Sequence, residues 1–204
     1  MKLANNRLEI IAGPNGSGKS TFAESYLKTL TQNSVYLNPD LMAAGMSLQV
    51  SDLISIQAGR VLIQETRRLL EKNESFSFES TLSGKNWLNL IKQAKQKDYE
   101  IVIYFLFLKD VKLNLSRIKK RVELGGHDIP KNAVKRRVPR SFQNFWNLYR
   151  PLCDQWFIFD NTSDKPTMTM NSVRYNQLTS KVKIQFEKQF FAHSKTQKNG
   201  SHKS

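Results

Sequence analysis

Residues 13–21 read GPNGSGKST, and their reading decides the fold. Gly13 to Ser20 satisfies the pattern G-x-x-x-x-G-K-[ST], in which backbone N–H groups cradle phosphates. The context matches: an apolar run, Leu8–Ala12 (LEIIA), comes just before, and a helical stretch beginning at Lys19 follows. Glycines let the backbone turn tightly and aim successive N–H groups inward, and the helix N-terminus adds unpaired donors and partial positive charge. The expectation is a triphosphate cradle for ATP made by Gly13, Pro14, Asn15, Gly16, Ser17, Gly18, Lys19, Ser20 and Thr21. Lys19 is expected to reach the β- and γ-phosphates, Ser20 to ligate Mg²⁺, and Thr21 to donate to the α-phosphate.

Outward from the loop, further short apolar runs occur at Val35–Leu37, Phe76–Glu79, Ile101–Phe107 and Trp156–Phe159. Helical patterns lie between them, near 19–30, 51–72, 84–97, 111–123 and 130–149. Several of the runs are apolar throughout, as strands covered on both faces are. Strand–helix alternation predicts an α/β fold with a parallel five-stranded sheet flanked by helices. Phe142, Phe145, Trp146 and Tyr149 stand at i, i+3, i+4 and i+7, a helical stripe that predicts core burial. No linker or repeat interrupts the pattern, so residues 1–192 are expected to form one domain, with 193–204 (HSKTQKNGSHKS) a disordered basic tail.

Composition narrows the function classes. With 39% hydrophobic residues the 204-residue chain can bury a core. No run approaches a membrane span, no signal peptide is evident, and Cys153 is the single cysteine, which together predict a cytoplasmic protein without membrane association. The net charge of +15 is concentrated: residues 112–140 hold ten Lys/Arg against Glu123 and Asp128, and residues 174–204 hold seven against Glu187. Two basic segments in an otherwise nearly neutral chain point to a polyanionic ligand, a phosphorylated small molecule or nucleic acid.

A loop alone binds nucleotide; carboxylates decide where a phosphate goes. Asp40 follows the second strand (VYLNPD) and Glu79 closes the third (FSFES). Ligands in parallel α/β sheets lie beyond the carboxyl ends of the strands, so both acids are expected in the crevice with Lys19. One can deprotonate an acceptor hydroxyl and the other hold Mg²⁺ or substrate. The hydroxyls of Thr81 and Ser83 extend the site after Glu79. Residues 111–140 have the character of an Arg-rich lid. Arg117 and Arg121 lie four apart on one helix face, Gly125-Gly126 end that helix as a hinge, and Arg136, Arg137 and Arg140 lie on the next. Arginines so placed can offset charge on a transferring phosphoryl group. Asn144 and Asn161 are candidate contacts for adenine or ribose, and His127 a candidate phosphate contact.

The ordered series GPNGSGKST, YLNPD, AGR (58–60), FSFESTLSG and RVELGGHDIP with Arg136-Arg137 resembles the zeta-toxin family, and more closely its compact, solitary bacterial relatives. The resemblance runs from about Leu8 to Asn161. It implies a P-loop kinase that transfers phosphate from ATP, with Mg²⁺, to a hydroxyl of a UDP-activated amino sugar such as UDP-N-acetylglucosamine, restrained by a small helical antitoxin. It implies Lys19 as the phosphate lysine, Asp40 as general base and substrate contact, and Glu79 and Thr81 as substrate contacts. It further implies Arg121 with Arg136 or Arg137 as the arginines that close over the transferred phosphate. Two other classes compete. A nucleic-acid- or nucleoside-directed kinase would use the basic segments and show salt-sensitive binding. A non-transferring ATPase module is suggested by Leu82-Ser83-Gly84, three residues of a transporter signature that this chain leaves at Lys85.

Overall fold

In the strand Glu100–Phe107, every second side chain enters a different core. Ile101, Ile103, Phe105 and Phe107 pack on one face of the sheet, and Val102, Tyr104 and Leu106 on the other. Side chains alternate across a strand, so a strand covered on both sides must be apolar throughout, which explains the unbroken run IVIYFLF. Burying each such side chain contributes roughly 1.5–3 kcal/mol.

The computed structural model describes residues 6–30, 34–38, 52–126 and 128–195. In chain order the strands are β1 (Arg7–Ala12), β2 (Val35–Leu37), β3 (Phe76–Ser80), β4 (Glu100–Phe107), β5 (Gln155–Asp160) and β6 (Thr167–Asn171). The helices are α1 (Lys19–Leu30), α2 (Asp52–Glu71), α3 (Leu88–Gln96), α4 (Val111–Glu123), α5 (Lys131–Asn144), α6 (Ser172–Asn176) and α7 (Ser180–Ala192). The sheet order is β2-β3-β1-β4-β5-β6, with β1 to β5 parallel and β6 antiparallel to β5. Six strands thus replace the expected five. The sixth, TMTMN, is a half-polar edge strand that carries little apolar signal, with Met168 exposed.

The larger core lies on the face covered by α2, α3, α4, α5 and α7. It takes in the full aromatic stripe: Phe142, Phe145, Trp146 and Tyr149 are all buried. Their helix is not continuous to residue 149. After α5 the chain widens into a π-helical turn over Phe145–Tyr149 and tightens into a 3-10 turn at Arg150–Leu152, which contains Pro151. Helix α7, which the sequence reading does not distinguish from a basic surface, is part of this core. Phe190 is buried against Phe142, at 4.8 Å between ring centroids, and against Trp146, at 5.3 Å. The packing continues past residue 192, where a tail is expected: His193 stacks on Phe107 at 5.0 Å and Ser194 is buried. Residues 196–204 lie outside the described residues. Among the described residues no helix is long and apolar enough to cross a membrane.

Because β1 sits between β3 and β4, the chain leaves it at the point where successive connections diverge. Order and parallel direction together open a crevice beyond the ends of β1 and β3.

Candidate active site

The loop after β1 is held both by its own bonds and by its neighbours. Gly13 N donates to Ser80 O (3.2 Å) and Ser17 N to Pro14 O (3.1 Å). Two buried asparagines fix the loop from outside: Asn114 of α4 donates from Nδ2 to Asn15 O, and Asn161 beyond β5 donates to Ser17 O, each at 2.8 Å. Both approaches require glycine. A Cβ at Gly16, where φ is +76°, would stand 2.6 Å from Asn114 O, and one at Gly18, where φ is +87°, 2.4 Å from Asn161 Nδ2. With its glycine-rich turn leading into α1 at Lys19, the loop fits a chain of phosphates. Lys19 Nζ lies back over the loop and donates to Pro14 O at 3.2 Å.

The loop forms one wall of a cavity of about 540 Å³. Asn15, Gly16, Gly18, Lys19, Ser20 and Thr21 line it from the loop and the start of α1, while Gly13, Pro14 and Ser17 shape the loop from behind. Glu79, Ser80 and Thr81 line it from the end of β3. Arg117 and Arg121 enter from α4, and Asn161, Ser163 and Asp164 follow β5. Three cationic side chains, Lys19, Arg117 and Arg121, therefore converge with two carboxylates, Glu79 and Asp164. Such a balance suits a highly charged anion whose charge shifts during reaction.

Glu79 is 5% exposed and accepts hydrogen bonds at both carboxylate oxygens. Its Oε2 accepts from Ser20 Oγ at 3.0 Å, and its Oε1 accepts from Asn38 Nδ2 at 3.1 Å and from the Tyr36 hydroxyl. Burial and the adjacent Glu79 push the Tyr36 phenol well above its ordinary range, so it remains a donor. For a divalent cation, Ser20 Oγ is the protein oxygen beside the phosphate cradle. Among the described residues no trio of His, Cys, Asp or Glu offers a protein-only metal site. That donor set fits Mg²⁺ bound chiefly by phosphate oxygens and water, with Ser20 completing it.

After Glu79 the chain turns sharply. Leu82 is buried with φ +50°, a conformation that costs a β-carbon-bearing residue energy unless its surroundings enforce it. Here they do. Leu82 N donates to Ser80 Oγ (3.1 Å), and Asn144 Nδ2 donates to Leu82 O (2.8 Å). The Tyr149 hydroxyl holds Gly84 O (2.8 Å). The turn leaves Thr81 on the cavity wall and Ser83 behind it, their hydroxyls 2.9 Å apart.

Several expected residues come together and others do not. Lys19, Ser20, Thr21, Glu79, Thr81 and Arg121 share the cavity; Arg136 and Arg137 are not among its lining residues, and Arg136 is exposed on α5. The Arg-rich segment is anchored at both helices: α4 buries Val111, Asn114 and Ile118, and α5 buries Val134, Val138, Ser141 and Phe142. Asn144 and Asn161 spend their amides on backbone carbonyls. Arg117 joins Arg121, a pairing visible in their spacing of four, whereas nothing in the sequence singles out Ser163, Asp164 or the supporting Asn114. Asp40 and His127 lie outside the described residues.

Residues 4–150 match the family model described as zeta toxin. An uncharacterized protein of Haemophilus influenzae is 34% identical over 134 residues, covering 65% of this chain and 92% of that protein. Among solved structures, one from the PezAT chromosomal toxin–antitoxin system of Streptococcus pneumoniae superposes with a TM-score of 0.61 at 14% identity, covering 95% of this chain and 89% of that one. AvrRxo1-ORF1:-ORF2 with ATP gives 0.71 at 12% identity, covering 96% of this chain and 66% of that one. At these identities the structural likeness concerns the fold.

Proposed function

The chain belongs to the zeta toxin family and is an ATP-dependent P-loop kinase, and from that premise we propose that it phosphorylates a hydroxyl of a UDP-activated amino sugar such as UDP-N-acetylglucosamine. One observation carries this reading. The phosphate loop, the Arg117–Arg121 face of α4 and the Glu79–Thr81 end of β3 border a single cavity with room for a nucleotide and part of an acceptor.

The loop amides and the start of α1 bind and orient the triphosphate, and Lys19 exchanges its Pro14 carbonyl for phosphate oxygens. Mg²⁺, when bound, supplies further neutralisation of phosphate charge. Arg117 and Arg121 stabilise the charge that develops on the transferred group. Thr81 orients the acceptor, and Asp40 takes the proton of the acceptor hydroxyl as the new O–P bond forms and the bond from the γ-phosphorus to the bridging oxygen breaks, releasing ADP. In this reading Arg136 and Arg137 take no part without movement of α5. The PezAT structure belongs to a toxin–antitoxin system, and a small antitoxin is proposed as a partner here by that likeness.

A second reading, transfer to an oligonucleotide end, is favoured by a row of exposed cations on α5: Lys131, Lys135, Arg136 and Arg140. One experiment separates the two. The protein is incubated with ATP, Mg²⁺ and a panel of UDP-sugars, nucleosides and oligonucleotides, and mass spectrometry finds which gains a phosphate. Phosphate on a UDP-amino sugar, absent with Asp40→Asn although that variant still binds ATP, is the expected result. Transfer to oligonucleotides alone replaces it with the second reading, and ATP hydrolysis without any phosphorylated acceptor overturns both.

A further inference from the structure

We propose that Tyr36 and Asn38 are positioning residues that turn the Glu79 carboxylate toward Ser20, so that Ser20 offers its lone pairs to the divalent cation that accompanies ATP. The inference rests on the kinase reading above and assigns Glu79 to the phosphate side of the site rather than to the acceptor.

The argument is one of hydrogen-bond accounting. A hydroxyl has one proton and two lone pairs, whereas an ionised carboxylate only accepts. Ser20 gives its proton to Glu79 Oε2 at 3.0 Å. Its lone pairs must then point elsewhere, and Ser20 lines the cavity. If Glu79 were free to rotate, Ser20 could instead donate its proton toward the cavity, the wrong polarity for a cation. Rotation is blocked at Oε1, which accepts from both the Tyr36 hydroxyl and Asn38 Nδ2, the latter at 3.1 Å. Asn38 Nδ2 also lies 3.4 Å from the Tyr36 oxygen, closing a three-membered cluster. Glu79 and Asn38 are buried, so water does not compete strongly for these bonds, and charge-assisted bonds in such surroundings are the strong ones.

The placement follows from the sheet. β2 pairs in parallel with β3, aligning Leu37 with Phe78, so the residues flanking Leu37 and the residue after Phe78 meet at the same edge. Strand β2 thus contributes to the site before the chain reaches Asp40, two residues beyond Asn38. No further contact of Tyr36 with the reacting groups is needed: its effect passes through Glu79 and Ser20.

The test uses the full chain and isothermal titration of ATP, once in EDTA and once in excess Mg²⁺. A positioning role predicts that Tyr36→Phe leaves the metal-free dissociation constant within about twofold but reduces the Mg²⁺-induced gain in ATP affinity by about tenfold. Glu79→Gln, nearly the same in shape, should show the same signature. In a Ser20→Ala background Tyr36→Phe should have no further effect on that gain, since residues acting through one another are non-additive. A Tyr36→Phe protein with the wild-type Mg²⁺ gain overturns the proposal, as does equal weakening in EDTA and Mg²⁺. Should Tyr36→Phe fail to fold by circular dichroism, Glu79→Gln decides in the same terms. Failure of the unsubstituted protein to bind ATP under either condition would instead sink the kinase reading itself.

Discussion

The phosphate loop and the Arg-rich segment both present cations and donors to one cavity, yet they are built on opposite principles. The loop, residues 13–21, is a backbone device: its glycines, its turn and the helix behind it are contiguous, and in the proposed function its main-chain N–H groups do the binding. The segment 111–140 is a side-chain device: two helices carry ten of the chain's Lys/Arg, and helix phase and packing decide which of them face inward. Arg117 and Arg121 share the inner face of α4 with buried Asn114 and Ile118, whereas Arg136 lies opposite Val134 and Val138 on α5 and points to solvent. A chemical motif is compact in one region and distributed in the other, and substitutions should behave accordingly.

The largest effect is expected in the loop. Lys19→Ala should weaken ATP binding roughly a hundredfold or more, and activity with it, because a desolvated charge partner is lost; calorimetry with ATP checks this. Gly16→Ala should cost at least about 2 kcal/mol of stability, since it imposes a positive φ on alanine and drives its Cβ toward Asn114 O. A lowered melting temperature would register it, and wild-type stability would mean that the loop yields more easily than its packing implies.

Next comes the contrast within the Arg-rich segment. Arg121→Ala should lower turnover about a hundredfold or more while ATP affinity changes little. Arg136→Ala should stay within about twofold of wild type. Steady-state kinetics on both variants tests the division, and a large loss at Arg136 would mean that α5 moves into the site during turnover.

The two regions meet at Asn114, whose amide bonds Asn15 O. Asn114→Ala should destabilise by about 1–3 kcal/mol, as a part-buried carbonyl loses its donor, measured by denaturant unfolding.

The smallest effect lies under the loop, at the start of β1. Glu9 is 1% exposed, and burial raises its carboxyl above the ordinary value despite Arg7 Nη1 at 3.3 Å and the Tyr104 hydroxyl at 3.2 Å. A folded-state value above the unfolded one means that the native state holds its proton more tightly. Stability from this group is therefore fully present at low pH and declines as pH rises through the folded value. Glu9→Gln should remove that decline, read as a flatter stability–pH profile above about pH 5.

Sequence alone determined the phosphate cradle, the alternation of strands and helices, and the burial of the Phe142–Tyr149 stripe. Each is written in residues adjacent in the chain or one helical turn apart, where φ/ψ limits and side-chain periodicity act locally. Tertiary structure decided the rest. Helix α7 belongs to the core because Phe190 finds Phe142 and Trp146 across the fold, and strand β6 because it pairs with β5 and buries Met170, not because their own pattern demands it. That Glu79 bonds Ser20, 59 residues away, and that Asn114 and Asn161 brace the loop from 99 and 144 residues away, follows from strand order and helix docking. Hydrogen bonds of that range depend on a folded neighbour being in place, and the neighbour is fixed only by packing.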